Sequence, residues 1–116
     1  MNYRRWDIWL AHLDPVVGSE QGKTRPVVII SDDDVNNILS VVNVLPLTSR
    51  KPGRVIYPNE ALIANGNFGL QNDSIVLCQQ IRTLDKRRFL KQFGTINNIL
   101  IQEQIVAALK FQLAIS

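Results

Sequence analysis

Apolar residues in this chain come in short runs divided by turn residues, a pattern that predicts strands rather than long helices. Residues 7–13 form the first run, with Trp6 and Trp9 at its start and Asp14-Pro15 closing it. A polar loop follows from Gly18 to Thr24. Residues 26–31, Pro-Val-Val-Ile-Ile-Ser, are apolar on both faces and predict a central strand. Pro26 has no amide hydrogen and suits the first position of that strand. Asp32-Asp33-Asp34 breaks the pattern and predicts a solvated turn leading into a short helical stretch at 35–39. Residues 41–47 predict a third strand, Lys51-Pro52-Gly53-Arg54 a turn, and 55–57 a fourth strand. The stretch 59–72, rich in asparagine and glycine, predicts an irregular loop, and 74–81 a fifth strand. Asp85 is placed to cap a brief helix at 86–90, and 93–96 is a short last strand. At the carboxyl end Asn98 caps a helix in which Ile101, Ile105, Ala108, Leu109 and Leu113 recur at helical spacing. Five or six short strands and a terminal helix make a mainly β fold, a small curved sheet or barrel with a helix packed against it.

Composition narrows this picture. At 116 residues the chain fits one domain, taken as residues 1–116, and 46% hydrophobic content supplies a core. No apolar run reaches the roughly 20 residues needed to cross a bilayer, so no membrane partner is expected. The segment from Met1 to Asp7 lacks the pattern of a secretory signal, and a lone Cys78 allows no internal disulfide, so a cytoplasmic location is expected. The net charge of +3 does not mark a nucleic-acid binder, but its distribution is suggestive. Arg50, Lys51 and Arg54 surround one turn, and Arg82, Lys86, Arg87, Arg88 and Lys91 form a second cluster. Basic clusters attract phosphate backbones; the competing reading of each is solvated surface.

Most standard catalytic arrangements are missing. One histidine and one cysteine supply no Cys/His metal spacing, and the three adjacent aspartates rarely converge on an ion, so neither metal nor cofactor is expected. No phosphate-cradling or dinucleotide glycine motif occurs. His12 reads as a structural strand residue, and Cys78, amid Ile75, Val76 and Leu77, as a buried inert thiol. What stands out is Gly18-Ser19-Glu20-Gln21-Gly22-Lys23-Thr24-Arg25-Pro26, a polar loop that feeds an arginine directly into a buried strand. The strand would hold Arg25 in place while the loop shapes itself around a ligand. A surface ion pair between Glu20 and Arg25 is the alternative.

Trp6-Asp7-Ile8-Trp9-Leu10, Leu13-Asp14-Pro15, Val17-Gly18-Ser19-Glu20-Gln21 and Thr24-Arg25-Pro26-Val27-Val28-Ile29-Ile30 together resemble the opening of MazF/PemK toxins. Leu45-Pro46-Leu47-Thr48-Ser49 is similar to their third-strand segment. Asp73-Ser74-Ile75-Val76 and Gln80-Ile81-Arg82-Thr83-Leu84-Asp85-Lys86-Arg87-Arg88 are similar to later blocks, and the terminal helix agrees. The resemblance implies an SH3-like barrel of the CcdB/PemK/MazF type with a C-terminal helix, acting as a homodimer. It implies a metal-independent endoribonuclease that cuts single-stranded RNA and is inhibited by a cognate antitoxin, with DNA contacted only through the antitoxin complex. Arg25 and Thr48 take the catalytic positions, with Glu20 a further candidate. Ser19, Gln21, Arg50, Gln80 and Arg82 are the expected RNA-binding positions. Some members carry a histidine where this chain has Ser19, and an Arg-x-Asp pair at Leu77-Cys78-Gln79, so their acid/base scheme does not transfer.

Metal-free cleavage requires removal of the 2′ proton, stabilisation of a charged phosphorane and protonation of the departing 5′ oxygen. The planar fork of Arg25 suits the second task. Thr48 can donate to the same phosphate, and Glu20 is the carboxylate placed to take the 2′ proton. Two alternatives share the fold: a non-enzymatic gyrase binder like the CcdB toxins, and a degenerate RNA-binding module.

Overall fold

In the computed structural model, which describes residues 2–116, seven antiparallel strands build one curved sheet that carries two helices. Met1, the first residue of the amino-terminal segment considered above, lies outside the described residues. The strands are β1 (Asp7–His12), β2 (Thr24–Ile29), β3 (Val41–Ser49), β4 (Glu60–Ile63), β5 (Ser74–Leu77), β6 (Arg82–Asp85) and β7 (Phe89–Thr95). The helices are α1 (Asp33–Ile38) and α2 (Ile99–Leu113). Strand order is β4-β5-β3-β2-β1-β7, with β6 also paired to β3.

Two prolines decide where the ladders of β3 stop. In an antiparallel pair, hydrogen-bonded and non-hydrogen-bonded positions alternate. The bond from Ile30 N–H to Asn43 O (3.0 Å) sets that alternation for β2 and β3, so the Pro26 nitrogen faces β3. It has no hydrogen to give, and the β2–β3 ladder ends at Val27↔Pro46. On the other edge of β3 the bond from Lys86 N–H to Ser40 O (3.0 Å) sets the parity, and the Pro46 nitrogen faces the chain that continues β6. There β6 stops at Val44↔Arg82, and β5 takes over the same edge at Leu47↔Val76. Between them runs a 3-10 turn, Cys78–Gln80. The predicted fifth strand over 74–81 is therefore interrupted, and Pro26 stands third in its strand rather than first.

Period-2 alternation gives the sheet two apolar faces. Ile8, Val28, Leu45, Leu47, Ile63 and Val76 form one cluster, covered by Ile105 and Ala108 of α2. Trp9, Ala11, Val27, Ile29, Val44 and Leu84 form the other, under the Tyr3–Phe89 ring pair. Helix ends follow the sequence. The Asp32 carboxylate accepts the Asp34 N–H at the start of α1, and the Asn98 side chain accepts the N–H groups of Leu100 and Ile101 at the start of α2. Asp85 likewise caps Lys86–Arg88, but as a single 3-10 turn rather than a helix over 86–90.

Three other expectations are corrected. Residues 55–57 form no strand: Val55 and Tyr57 lie open to solvent, 61% and 56% exposed. The missing strand is β4, inside the stretch read as irregular, where Glu60, Ala61 and Ile63 are buried against β5. Strand β6 was hidden because Arg82 and Asp85 flank its one buried residue, Leu84.

The ends of the sheet, β4 and β7, share no ladder; they are brought together through loop backbone. A Cβ on Gly69 would overlap the Phe93 carbonyl, and one on Gly94 would overlap the Phe68 carbonyl. Two glycines thus let the 64–73 loop lie directly on β7. Gly94 has no positive φ, so Gly94→Ala isolates the overlap from backbone strain. Chemical denaturation is expected to report a loss of about 1–3 kcal/mol for this substitution.

Candidate active site

Arg25 and Thr48 occupy the splayed ends of β2 and β3, just past the point where their ladder stops. The register of Val27↔Pro46, carried two residues further, sets position 25 opposite position 48. Both alternate with residues of the second cluster, Arg25 with Val27 and Ile29, and Thr48 with Val44, so they share one face of the sheet. Each is half-buried. Arg25 Nε donates to Gly22 O (3.0 Å), which fixes the base of the guanidinium and leaves the planar NH1/NH2 end without a protein partner among the described residues.

The 13–23 loop beside them is held by side chains from distant strands. Gln80, on the 3-10 turn beside Pro46, accepts the Gln21 N–H on Oε1 (3.1 Å) and donates from Nε2 to Ser19 O (3.1 Å). Arg82 donates to Leu13 O (3.0 Å), and Arg88 to His12 O (3.1 Å) and Asp14 O (2.8 Å). Asp14 Oδ1 accepts the Lys23 N–H (2.9 Å), closing the loop across its neck. Gly22 is required there, since a Cβ would stand 2.6 Å from Asp14 Oδ1.

Ser19, Glu20, Gln80 and Arg82 line one cleft of about 510 Å³, with Pro15, Gln79 and Ile81. Glu20 makes no ion pair with Arg25; its Oε1 accepts the Val17 N–H (2.6 Å) and shapes the loop tip. Gln21 lies at the back of the loop with its Oε1 buried and unpartnered. Arg50 sits apart from this cleft, directly after β3, where its Nε donates to Arg54 O (3.0 Å). Four expected RNA-binding positions thus adjoin the cleft or its wall, and Arg50 belongs to the neighbouring turn. His12 is exposed at the end of β1, with Nδ1 3.3 Å from Thr24 Oγ1. Cys78 is buried, and that burial pushes its thiol up to about 11.

A family model for PemK-like, MazF-like toxins of type II toxin-antitoxin systems matches residues 4–113. The chain belongs to the PemK/MazF toxin family. It is 40% identical over 100 residues to endoribonuclease MazF of Staphylococcus saprophyticus, covering 86% of this chain and 82% of the relative. MazF from Deinococcus radiodurans superposes with a TM-score of 0.82 at 24% identity, over 99% of both chains. The Mycobacterium tuberculosis toxin MazF-mt6 gives 0.77 at 24%, over 95% of this chain and 98% of that one. A mycobacterial endoribonuclease in complex with its cognate antitoxin gives 0.76 at 21%, over 97% and 96%. At such identities the structures establish the PemK/MazF fold, and with it the expected barrel with a C-terminal helix.

Within this PemK/MazF chain, two residues organise the surroundings in ways the sequence did not signal: Arg88, read only as part of a basic cluster, and Glu60. Arg88 clasps the loop neck, which no local pattern could signal because its partners lie 74 and 76 residues away. Glu60, buried in β4, accepts both guanidinium nitrogens of Arg54 (2.9 and 2.7 Å) and the Tyr57 N–H (3.0 Å), so it orders the basic turn. Its strand had been read as loop. The hydrogen bonds from Arg54 hold the Glu60 carboxyl below the usual carboxylate range.

Because the folded state lowers that carboxyl's pKa, the Arg54–Glu60 pair adds stability above the ordinary value near 4.3 and loses it as pH falls through the lower folded value. Glu60→Gln is expected to flatten acid denaturation below about pH 4.3, as followed by circular dichroism. For the loop, Gln80→Ala should speed hydrogen exchange at Gln21 N–H and proteolysis near Ser19, leaving exchange in β1 and β2 unchanged; equal protection in the variant would refute the clasp.

Proposed function

We propose that this protein is a metal-independent endoribonuclease toxin that cleaves single-stranded RNA by attack of a ribose 2′-hydroxyl on its own phosphate. The observation that carries the proposal is the Arg25–Thr48 pairing: a guanidinium with its fork unengaged stands across from a threonine hydroxyl, on rigid strands at the mouth of a sheet. Arg25 grips two phosphate oxygens and stabilises the phosphorane, and Thr48 donates to the same group. Glu20 takes the 2′ proton through the oxygen not held by Val17. Ser19, Gln21, Arg50, Gln80 and Arg82 form or fix the walls against which the RNA lies, with Gln80 and Arg82 acting by holding the loop.

The protein acts as one domain over residues 1–116, in the cytoplasm, as a homodimer under the control of a cognate antitoxin. No helix among the described residues is long and apolar enough to cross a membrane. Helix α2 leaves Ile99, Leu100 and Phe111 about two-thirds exposed, a face suited to cover by a second copy. A cognate antitoxin accompanies one of the structures that shares this fold. The phosphate-facing arginine favours the nuclease over a gyrase binder, which has no use for it.

Incubation with long single-stranded RNA in EDTA is expected to give fragments with 2′,3′-cyclic phosphate or 3′-phosphate ends and 5′-hydroxyl ends. Arg25→Ala should lower the single-turnover rate by roughly 10²–10³, and Glu20→Gln by a similar factor. Wild-type rate in Glu20→Gln would remove Glu20 from the base role, and no cleavage of several diverse RNAs would overturn the enzyme.

A further inference from the structure

A second pocket opens on the opposite face of the same splayed strands. Pro26 and Ser49, the chain neighbours of Arg25 and Thr48, form one wall of a cavity of about 440 Å³. The 69–74 stretch and residues 91–93 of β7 form the others. These walls meet because Gly69 and Gly94 allow loop and strand to touch, so the cavity is a product of that contact. Its volume falls within the roughly 300–1,000 Å³ range of small-ligand sites.

The lining has the chemistry of a nucleobase site. The carboxamides of Gln71 and Asn72 have no protein partner among the described residues, and that of Gln92 reaches only Thr95 Oγ1 at 3.4 Å. A carboxamide offers a donor and an acceptor side by side, which matches the edge of an unpaired base. Phe93 provides a half-buried ring for stacking. Lys91 Nζ lies 6.0 Å from that ring's centroid, a cation beside the stacking platform. Pro26 and Ser49 each adjoin in the chain one of the two residues assigned to the phosphate, so the pocket borders the phosphate position across the end of the β2–β3 ladder.

We propose that this pocket is a nucleobase subsite, in which Gln71, Asn72, Gln92 and Phe93 hold a base adjacent to the phosphate gripped by Arg25 and set part of the cleavage preference. The proposal rests on the ribonuclease reading and adds to it a site on the other face of the sheet.

Two measurements test it with the full chain. In the first, fragment-end sequencing compares wild type with Asn72→Ala and Gln92→Ala, both exposed positions. The kcat/KM ratio between the preferred and a substituted base at one position flanking the cut is expected to fall roughly two- to tenfold, because the matched-site value falls while the substituted-site value stays near that of wild type. In the second, a single-stranded oligonucleotide with 2′-fluoro sugars, which lacks the attacking hydroxyl, carries 5-iodouracil and is irradiated on the protein. Crosslinks at Phe93, weakened in Asn72→Ala, support the pocket. Normal cleavage with unchanged preference in both variants, or crosslinks confined to the 13–23 loop, overturns it. Crosslinking at Phe93 by a wild-type protein that cuts no RNA keeps the pocket and overturns the nuclease instead.

Discussion

Pro26 and Pro46 each withhold an amide hydrogen from a ladder that would otherwise continue, and the geometry of the site follows from those two absences. At Pro26 the β2–β3 ladder stops, and Arg25 and Thr48 lie just beyond it on strands anchored by the buried Val27 and Leu47. At Pro46 the chain opposite β3 leaves the sheet as a 3-10 turn, which lifts Gln80 clear of the ladder and lets its carboxamide reach the 13–23 loop. A continuous sheet would have buried the backbone around both residues. The interruptions leave rigid strand on one side of the gap and unpaired edge on the other, an arrangement that suits the proposed grip on a phosphate that is not enclosed.

The same logic explains how the positive charge is spent. Arg82, Lys86, Arg87 and Arg88 looked like a phosphate-attracting cluster, but each has an intramolecular partner: Leu13 O, Asn36 O, the Asp85 carboxylate, and the His12 and Asp14 carbonyls. Arg54 is held by Glu60. Guanidinium groups serve well as clasps because one planar fork satisfies several carbonyls that would otherwise be left bare at loop necks. What remains unengaged is a short list, the fork of Arg25 and the exposed Lys51 and Lys91 among them. Of the four clustered groups only Arg87 meets an opposite charge; the others keep theirs, fixed in place on carbonyls, so under the proposed function the placement of these charges would guide an RNA chain more than the modest net charge does.

Much of the fold was legible because it rests on local signals. The alternation in residues 7–13, the double-faced apolar run of β2, and the Asp85 and Asn98 caps are each written in a few adjacent residues. What stayed hidden depends on distant partners. β4 carries a buried glutamate whose charge is met by Arg54 across a turn, so its sequence reads as loop. β6 has one buried apolar side chain and shows no alternation. The interruption after β5 is caused by a proline more than thirty residues upstream. In the site, Arg25 was legible as an arginine at the mouth of a buried strand. Thr48 was marked only by resemblance, because a threonine in a strand is ordinary until its register position is known. The competing reading, a Glu20–Arg25 ion pair, rested only on proximity in sequence; the loop turns Glu20 back on Val17 instead.

That turn bears on the hardest step of the proposed reaction. A guanidinium can stabilise charge but is a poor carrier of protons, so a second group has to act as base beside Arg25. Glu20 sits in the neighbouring cleft, with one carboxylate oxygen tied to the loop and the other directed to no protein group among the described residues. The loop is exposed at its tip and held by side-chain hydrogen bonds from Gln80, Arg82 and Arg88 rather than by a ladder, each contributing about 0.5–1.5 kcal/mol, so it opens locally at lower cost than the strands beside it. A base mounted on such a loop can approach the 2′-hydroxyl only once RNA has settled between the strands. Phosphate grip and proton removal are thus assigned to parts of different stiffness: the strands set the position of the scissile phosphate, and the loop brings the carboxylate to it.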